Sequence, residues 1–198
     1  MRINSVLKTL RPGWGRSRLT QRLKIDEAGS TAVEFAIVAT PFLMFIFGLV
    51  GCAFYFFTVS SVEKGMDQTS RLIRTGEAVT DKMTVDQFKQ DICNAAGNWI
   101  DCKKLQIFVD SYSDGWAGLN SAKPQPCVED GAIVKNPAPG NDLIAIYSGA
   151  ASDVVVVTAC YKWDFTSKLP FLRLGNMSDG SMMLQTATAF RSEPYPGS

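Results

Sequence analysis

The chain has 198 residues, 46% hydrophobic and 20% charged, with 20 Lys and Arg against 19 Asp and Glu, which suits one domain with or without an appendage and excludes a disordered chain. Histidine is missing altogether, which removes the Ser/His/Asp and Cys/His nucleophile arrangements and the imidazole-containing zinc sites, and places enzyme readings behind the others. The near-neutral balance hides an asymmetry: residues 1–29 carry seven cations against Asp26 and Glu27, a net of +5, so the remaining 169 residues carry −4. An apolar run follows this basic head directly, so a membrane, and not nucleic acid, is the expected partner.

From Phe35 to Phe57 there are 23 consecutive positions without a charged side chain. As a helix rising ~1.5 Å per residue they reach ~34 Å, enough for a hydrocarbon core of ~30 Å. Seven of the twelve phenylalanines fall in this run, which leaves the rest of the chain with an ordinary aromatic content. Lys and Arg concentrate on the cytoplasmic side of a span, so the seven early cations predict an N-terminus inside and a body outside. In a cleavable secretory signal the small-residue cut site follows the apolar stretch. Here the small residues, Ala28, Gly29, Ser30 and Thr31, come before it, so a cut at that point leaves the apolar helix on the mature protein.

Within Ala28-Gly29-Ser30-Thr31-Ala32-Val33-Glu34-Phe35, a carboxylate stands five residues after a glycine at the start of a long apolar helix behind a basic leader. This resembles the pattern that prepilin peptidases recognise in type IV pilins and pseudopilins. Glu followed by an aromatic, with Ser at the first mature position, looks most like the tight-adherence (Tad) pilus branch. Val155 to Trp163, Leu169-Pro170-Phe171 and Thr186 to Pro194 are similar to the end of TadE-like minor pilins, without separating TadE from TadF and TadG-like relatives. The resemblance implies a non-catalytic minor pseudopilin of the bacterial inner membrane, cut between Gly29 and Ser30, that primes, caps or supports a Tad adhesion pilus. Its implied partners are the prepilin peptidase, other minor pilins, the major pilin, the inner-membrane platform and the lipid bilayer. No cofactor, metal or nucleic acid is implied. It also implies that Glu34 neutralises the new α-amino group of a neighbouring subunit; otherwise Glu34 is an interfacial residue of an uncut anchor, its carboxylate reaching the headgroups. Either way, an ionised carboxylate inside an apolar helix costs up to roughly 2.5 to 3.5 kcal/mol at the centre of a span and less near its edge.

Pro41 removes one backbone hydrogen bond and predicts a kink or local melting, either an ordinary membrane-helix proline or a flexible point for extraction and packing. Gly48, Gly51 and Cys52 offer a small-residue face, with Cys52 a packed free thiol. Val62, Met66, Thr69, Leu72 and Ile73 then recur at helical spacing, so the helix continues beyond the membrane until Gly76 to Asp81 breaks it. Thr84-Val85-Asp86-Gln87 reads as a capping box opening a second helix with Val85, Phe88, Ile92, Ala95 and Ala96 inward, ended by Gly97-Asn98. Strands are expected at Leu105 to Asp110, Leu143 to Tyr147, Val154 to Trp163 and Met182 to Ser192, with Ser113 to Asn141 as a long loop and a frayed tail at Pro194 and Pro196. The expected fold class is α+β, an antiparallel sheet with a helix over one face, similar to a type IV pilin. The expected domains are 1–29 as cleaved leader, 30–62 as transmembrane and assembly helix, and 63–198 as exported periplasmic body.

Four cysteines lie beyond the span, Cys93, Cys102, Cys127 and Cys160, an even count that suggests disulfides in an exported body. An unbroken helix would hold Cys93 and Cys102 about 13.5 Å apart along its axis, too far for a bond, but the Gly97-Asn98 stop lets the chain fold back. Cys93 with Cys102 is therefore the expected bridge, and Cys127 with Cys160 by elimination, pinning the long loop to a central strand. A four-thiolate metal site competes, without the spacing of known ones. Asp110 with Asp114 near Trp116, and Asp153 with Asp164, are candidate acid/base or calcium pairs, read more simply as turn residues. Tyr112 and Trp116 are candidate contacts to a partner. The alternative to a pilus subunit is an uncleaved, membrane-anchored periplasmic module that binds a ligand through the long loop.

Overall fold

The computed structural model describes residues 29–121, 126–135, 138–168 and 175–194. The basic leader before Gly29, the Leu169-Pro170-Phe171 motif and Pro196 lie outside the described residues. Helix α1 runs from Ser30 to Arg74, and the chain divides into two compact units, Met1–Cys52 and Ala53–Ser198. In the first unit every described residue of α1 is unburied, as expected of a helix whose apolar side chains have lipid as their solvent. α1 is long and apolar enough to cross a membrane once.

Within the second unit α1 becomes amphipathic, burying Thr58, Val62, Gly65, Met66, Thr69, Ser70 and Ile73 along one stripe at three- and four-residue steps. Its end at Arg74 is followed by Gly76 in the left-handed region, φ 77°, and a single turn, α2 (Glu77–Thr80), inside the segment expected to be a plain break. Helix α3 (Val85–Ala96) opens on the expected capping box: the Gln87 N–H donates to Thr84 Oγ1 at 3.3 Å, and the Thr84 N–H donates to Gln87 Oε1 at 2.9 Å. It buries Val85, Phe88, Ile92, Cys93 and Ala96, while Ala95, expected inward, is only half-buried.

The sheet has the order β1-β4-β5, from β1 (Leu105–Tyr112), β4 (Val154–Trp163) and β5 (Met182–Arg191), all antiparallel. Its main core lies on the helical face, where Leu105, Ile107, Val155, Val157, Ala159 and Leu184 pack with Met66, Phe88 and Ile92. The opposite face carries a smaller cluster of Phe108, Cys127, Cys160 and Met183. Being central, β4 is covered on both faces at most positions, which explains its nearly continuous apolar sequence.

One expected strand is corrected. Leu143 to Tyr147 is no strand: Leu143 makes an isolated bridge to Thr84, and Ile144–Ile146 is a 3-10 turn. The backbone just before it serves α3 instead, since the Val85 N–H donates to the Asp142 carbonyl at 2.9 Å and the Asp86 N–H to the Gly140 carbonyl at 3.0 Å. These bonds satisfy helix N-terminal donors that otherwise lack partners. The 113–141 stretch, expected to hold little regular structure, has among its described residues a one-and-a-half-turn helix, α4 (Trp116–Ser121), and a short hairpin of β2 (Val128–Glu129) and β3 (Ala132–Ile133). Asp130 and Gly131 turn the hairpin with φ 50° and 75°, the positive values a two-residue type I′ connection requires.

Candidate processing and assembly segment

The expected processing residues stand at the start of α1, which begins at Ser30 immediately after Gly29. Among the described residues a Cβ built on Gly29 would meet no atom within 4 Å, so crowding there does not call for glycine. Ser30 and Glu34 are brought together: the Ser30 hydroxyl donates to Glu34 Oε1 at 3.2 Å, the one-turn spacing that places i and i+4 on one face. Both are exposed, and Phe35 beside them is 74% exposed. The carboxylate is therefore held one turn from the end of the helix that a cut after Gly29 would create.

Pro41 lies inside α1 without interrupting it. The local melting allowed for at Pro41 does not occur; the missing N–H leaves the Ile37 carbonyl without its usual partner. One residue earlier, the Thr40 hydroxyl donates to the Ala36 carbonyl at 2.6 Å, a back-bond that bends helices. Among the described residues a Cβ on Gly48 would likewise meet no atom within 4 Å, and Cys52 is a free, exposed thiol.

The body's covalent frame is Cys93–Cys102 and Cys127–Cys160, with Cα separations of 5.7 and 5.6 Å. The first bridge closes the loop made by Gly97, whose φ of 119° ends α3. The second ties the segment leading into the β2–β3 hairpin to the central strand β4, in the cluster with Phe108 and Met183.

The acidic pairs separate into structural roles. Asp153 Oδ2 accepts from the Ala150 N–H at 2.8 Å, closing a turn. Asp164 pairs with Lys104 at 2.6 Å and, more distantly, with Lys162 at 3.9 Å. The Lys104 ammonium is held above its ordinary pKa chiefly by its hydrogen bond to Asp164. Asp179, hydrogen-bonded by Lys162 and Ser181, is held well below the usual carboxylate range. Asp110 is pushed up by burial. Among the described residues no three His, Cys, Asp or Glu side chains are grouped so as to hold a metal ion. Trp116 is 54% exposed, and Tyr112 packs closer to the fold, its Cβ 3.4 Å from a Cβ built on Gly118.

Gly65 and Trp99 carry no signal in the local sequence. A Cβ on Gly65 would collide with the Ile92 carbonyl oxygen and lie 2.9 Å from Ala96 N, so α1 and α3 touch backbone to backbone there. Trp99 stacks on Phe57 with ring centroids 4.7 Å apart. Neither pairing has a local sequence signal, since each depends on where α3 returns against α1.

No curated protein and no solved structure matches the chain significantly. Residues 29–71 match the family described as "TadE-like protein", a stretch that begins at Gly29 and includes Ser30, Glu34, Phe35 and Pro41. That match, which lies on the long apolar helix, supports assignment of the chain to the TadE-like minor pilin and pseudopilin family.

Proposed function

We propose that the chain is a non-catalytic minor pseudopilin that is trimmed between Gly29 and Ser30 by a prepilin peptidase and then supports assembly of a Tad adhesion pilus. The single observation carrying this reading is the coincidence of the family match with the geometry of its first turns: a small residue not required by the fold at 29, a helix starting at 30, and Glu34 facing that start from one turn away. Cutting after Gly29 would give Ser30 a cationic α-amino group within a turn of the Glu34 carboxylate. In the monomer both are exposed, so the pairing is available to a neighbouring helix as well, and a charge that is costly in lipid becomes favourable in a helical bundle. The basic leader favours a cytoplasmic N-terminus and a periplasmic body, a compartment in which the two disulfides persist. The partners follow from this role: the peptidase, the membrane platform, other minor pilins and the major pilin.

The test is complementation of a deletion strain with Glu34→Ala. Membrane levels equal to or above wild type with loss of surface pili and attachment are expected. Normal piliation by Glu34→Ala would instead favour an uncut anchor whose carboxylate lies among the headgroups.

A further inference from the structure

The second unit carries an aromatic cluster at the edge of its main core, against which Tyr55 and Trp163 pack. Trp99, from the loop after α3, stacks on Phe57 of α1 with planes 21° apart. Trp163 and Phe165, from the end of β4, stack on each other at 5.2 Å, and Phe165 reaches Phe54 at 6.3 Å. Tyr55 meets Trp163 edge-on at 5.9 Å. In spite of these contacts Trp99 is 46% exposed, Phe165 38%, and Phe54 and Phe57 more than half. An apolar surface of this kind is unfavourable when left bare in water.

Its position identifies what covers it. Counting from Phe35, ~20 residues of helix cross a hydrocarbon core of ~30 Å, which brings Phe54 to Phe57 to the far edge of the apolar run. Trp and Tyr concentrate at that level of a bilayer, where an apolar ring and a polar tip are both solvated. The segments bearing the rings also carry ions of both signs: Lys104 pairs with Asp101 at 3.6 Å and with Asp164 at 2.6 Å, and Lys162 with Asp179. Aromatic rings beside zwitterion-like pairs match the boundary between acyl chains and headgroups. Trp99 is also fixed in place, because the Cys93–Cys102 bridge encloses its loop and a Cβ at Gly97 would lie 2.7 Å from its indole nitrogen.

We infer that Trp99, Trp163 and Phe165 form, with Phe54 to Phe57, a collar that beds the exported body in the phospholipid interface of the leaflet where α1 emerges. The occupant is lipid because Phe54 to Phe57 are the last aromatic residues of the uncharged stretch of α1, Phe35 to Val62, in the helix that is long and apolar enough to span the membrane. The inference goes beyond the assembly role and holds whether or not the leader is cut.

The test uses the full chain reconstituted into phosphatidylcholine/phosphatidylglycerol vesicles, as two single-tryptophan variants. One keeps Trp99 with Trp14, Trp116 and Trp163 changed to Phe; the other keeps Trp116 with Trp14, Trp99 and Trp163 changed to Phe. Trp116 is the control because it follows the opposite end of β1 from Leu105, ~23 Å away at strand rise. Lipids brominated near the carbonyl end of the chain should cut Trp99 emission by about half, those brominated near the methyl end should cut it less, and Trp116 should be unaffected. Equal quenching of Trp99 and Trp116, or none at Trp99, overturns the inference and marks the collar as open to water or covered by protein. Non-reducing peptide mapping confirms that each variant keeps Cys93 bonded to Cys102. If the Trp99 variant lacks that bond, Phe165→Trp in a background with all four tryptophans changed to Phe is decided by the same comparison.

Discussion

Replacing Gly65 by alanine should destabilise the body, the opposite of what glycine-to-alanine does on an open helix. In an exposed helix interior the change stabilises by ~0.8 to 1 kcal/mol, because glycine gives up more backbone freedom on folding. At Gly65 the added carbon would run into the Ile92 carbonyl oxygen, and would lie 2.9 Å from Ala96 N and 3.0 Å from Ala96 Cβ. Two of these obstacles are backbone atoms of α3, so no rotamer change relieves them and the helices must separate. Overpacking of this kind costs ~1 to 3 kcal/mol, and the upper part of that range applies where the obstacle is backbone. After the propensity gain is subtracted, a net loss of about 1 to 2 kcal/mol remains, with Gly65→Val worse. The assay is equilibrium urea unfolding of the full chain in mild detergent, followed by near-ultraviolet circular dichroism of the body's aromatics. A Gly65→Ala protein more stable than wild type, or a Gly65→Val protein equal to it, would refute the close helix contact.

The remaining expectations concern the bridges, one carboxylate and Gly29. Removing Cys93–Cys102, nine residues apart, by a double alanine substitution should cost about 2 to 3 kcal/mol, and removing Cys127–Cys160, 33 apart, about 4 kcal/mol, read from the same urea transitions. Burial raises the folded-state pKa of Asp110 above its ordinary 3.8, so the folded protein holds that proton more tightly than the unfolded chain. Stability should therefore fall as pH rises from 3.8 through the raised value, and Asp110→Asn should melt higher than wild type at neutral pH with the gap closing in acid; a gap that widens in acid would contradict this. Gly29→Leu should insert normally yet keep its leader, visible as slower gel migration, because among the described residues a Cβ at 29 meets no atom within 4 Å and the fold does not require glycine there.

How much of this could be read beforehand follows from the range of the interactions. The Thr84/Gln87 capping box, the Gly97 stop and the long strands β4 and β5 rest on local chemistry, and each was legible in sequence. Leu143 to Tyr147 looked like a strand because its apolar content did not reveal that the neighbouring carbonyls of Gly140 and Asp142 are taken by the first N–H groups of α3. The Asp130-Gly131 turn was a readable signal that the abundance of Pro, Gly and Asn around it masked. For the segment from Gly29 to Phe35, residue types and spacing were visible, while the bond from Ser30 to Glu34 needed the helix start to be fixed. Gly65 and Trp99 were unreadable because their partners, Ile92 and Phe57, are 27 and 42 positions away along the chain.

The central claim is that the functional form begins at Ser30. Its most direct test is intact-mass and N-terminal peptide analysis of the protein purified from membranes of its native host. The expected result is a chain lacking residues 1–29, with Ser30 as the first residue and both disulfides retained. A chain still beginning at Met1, in cells where the peptidase is active on other pilins, would contradict it.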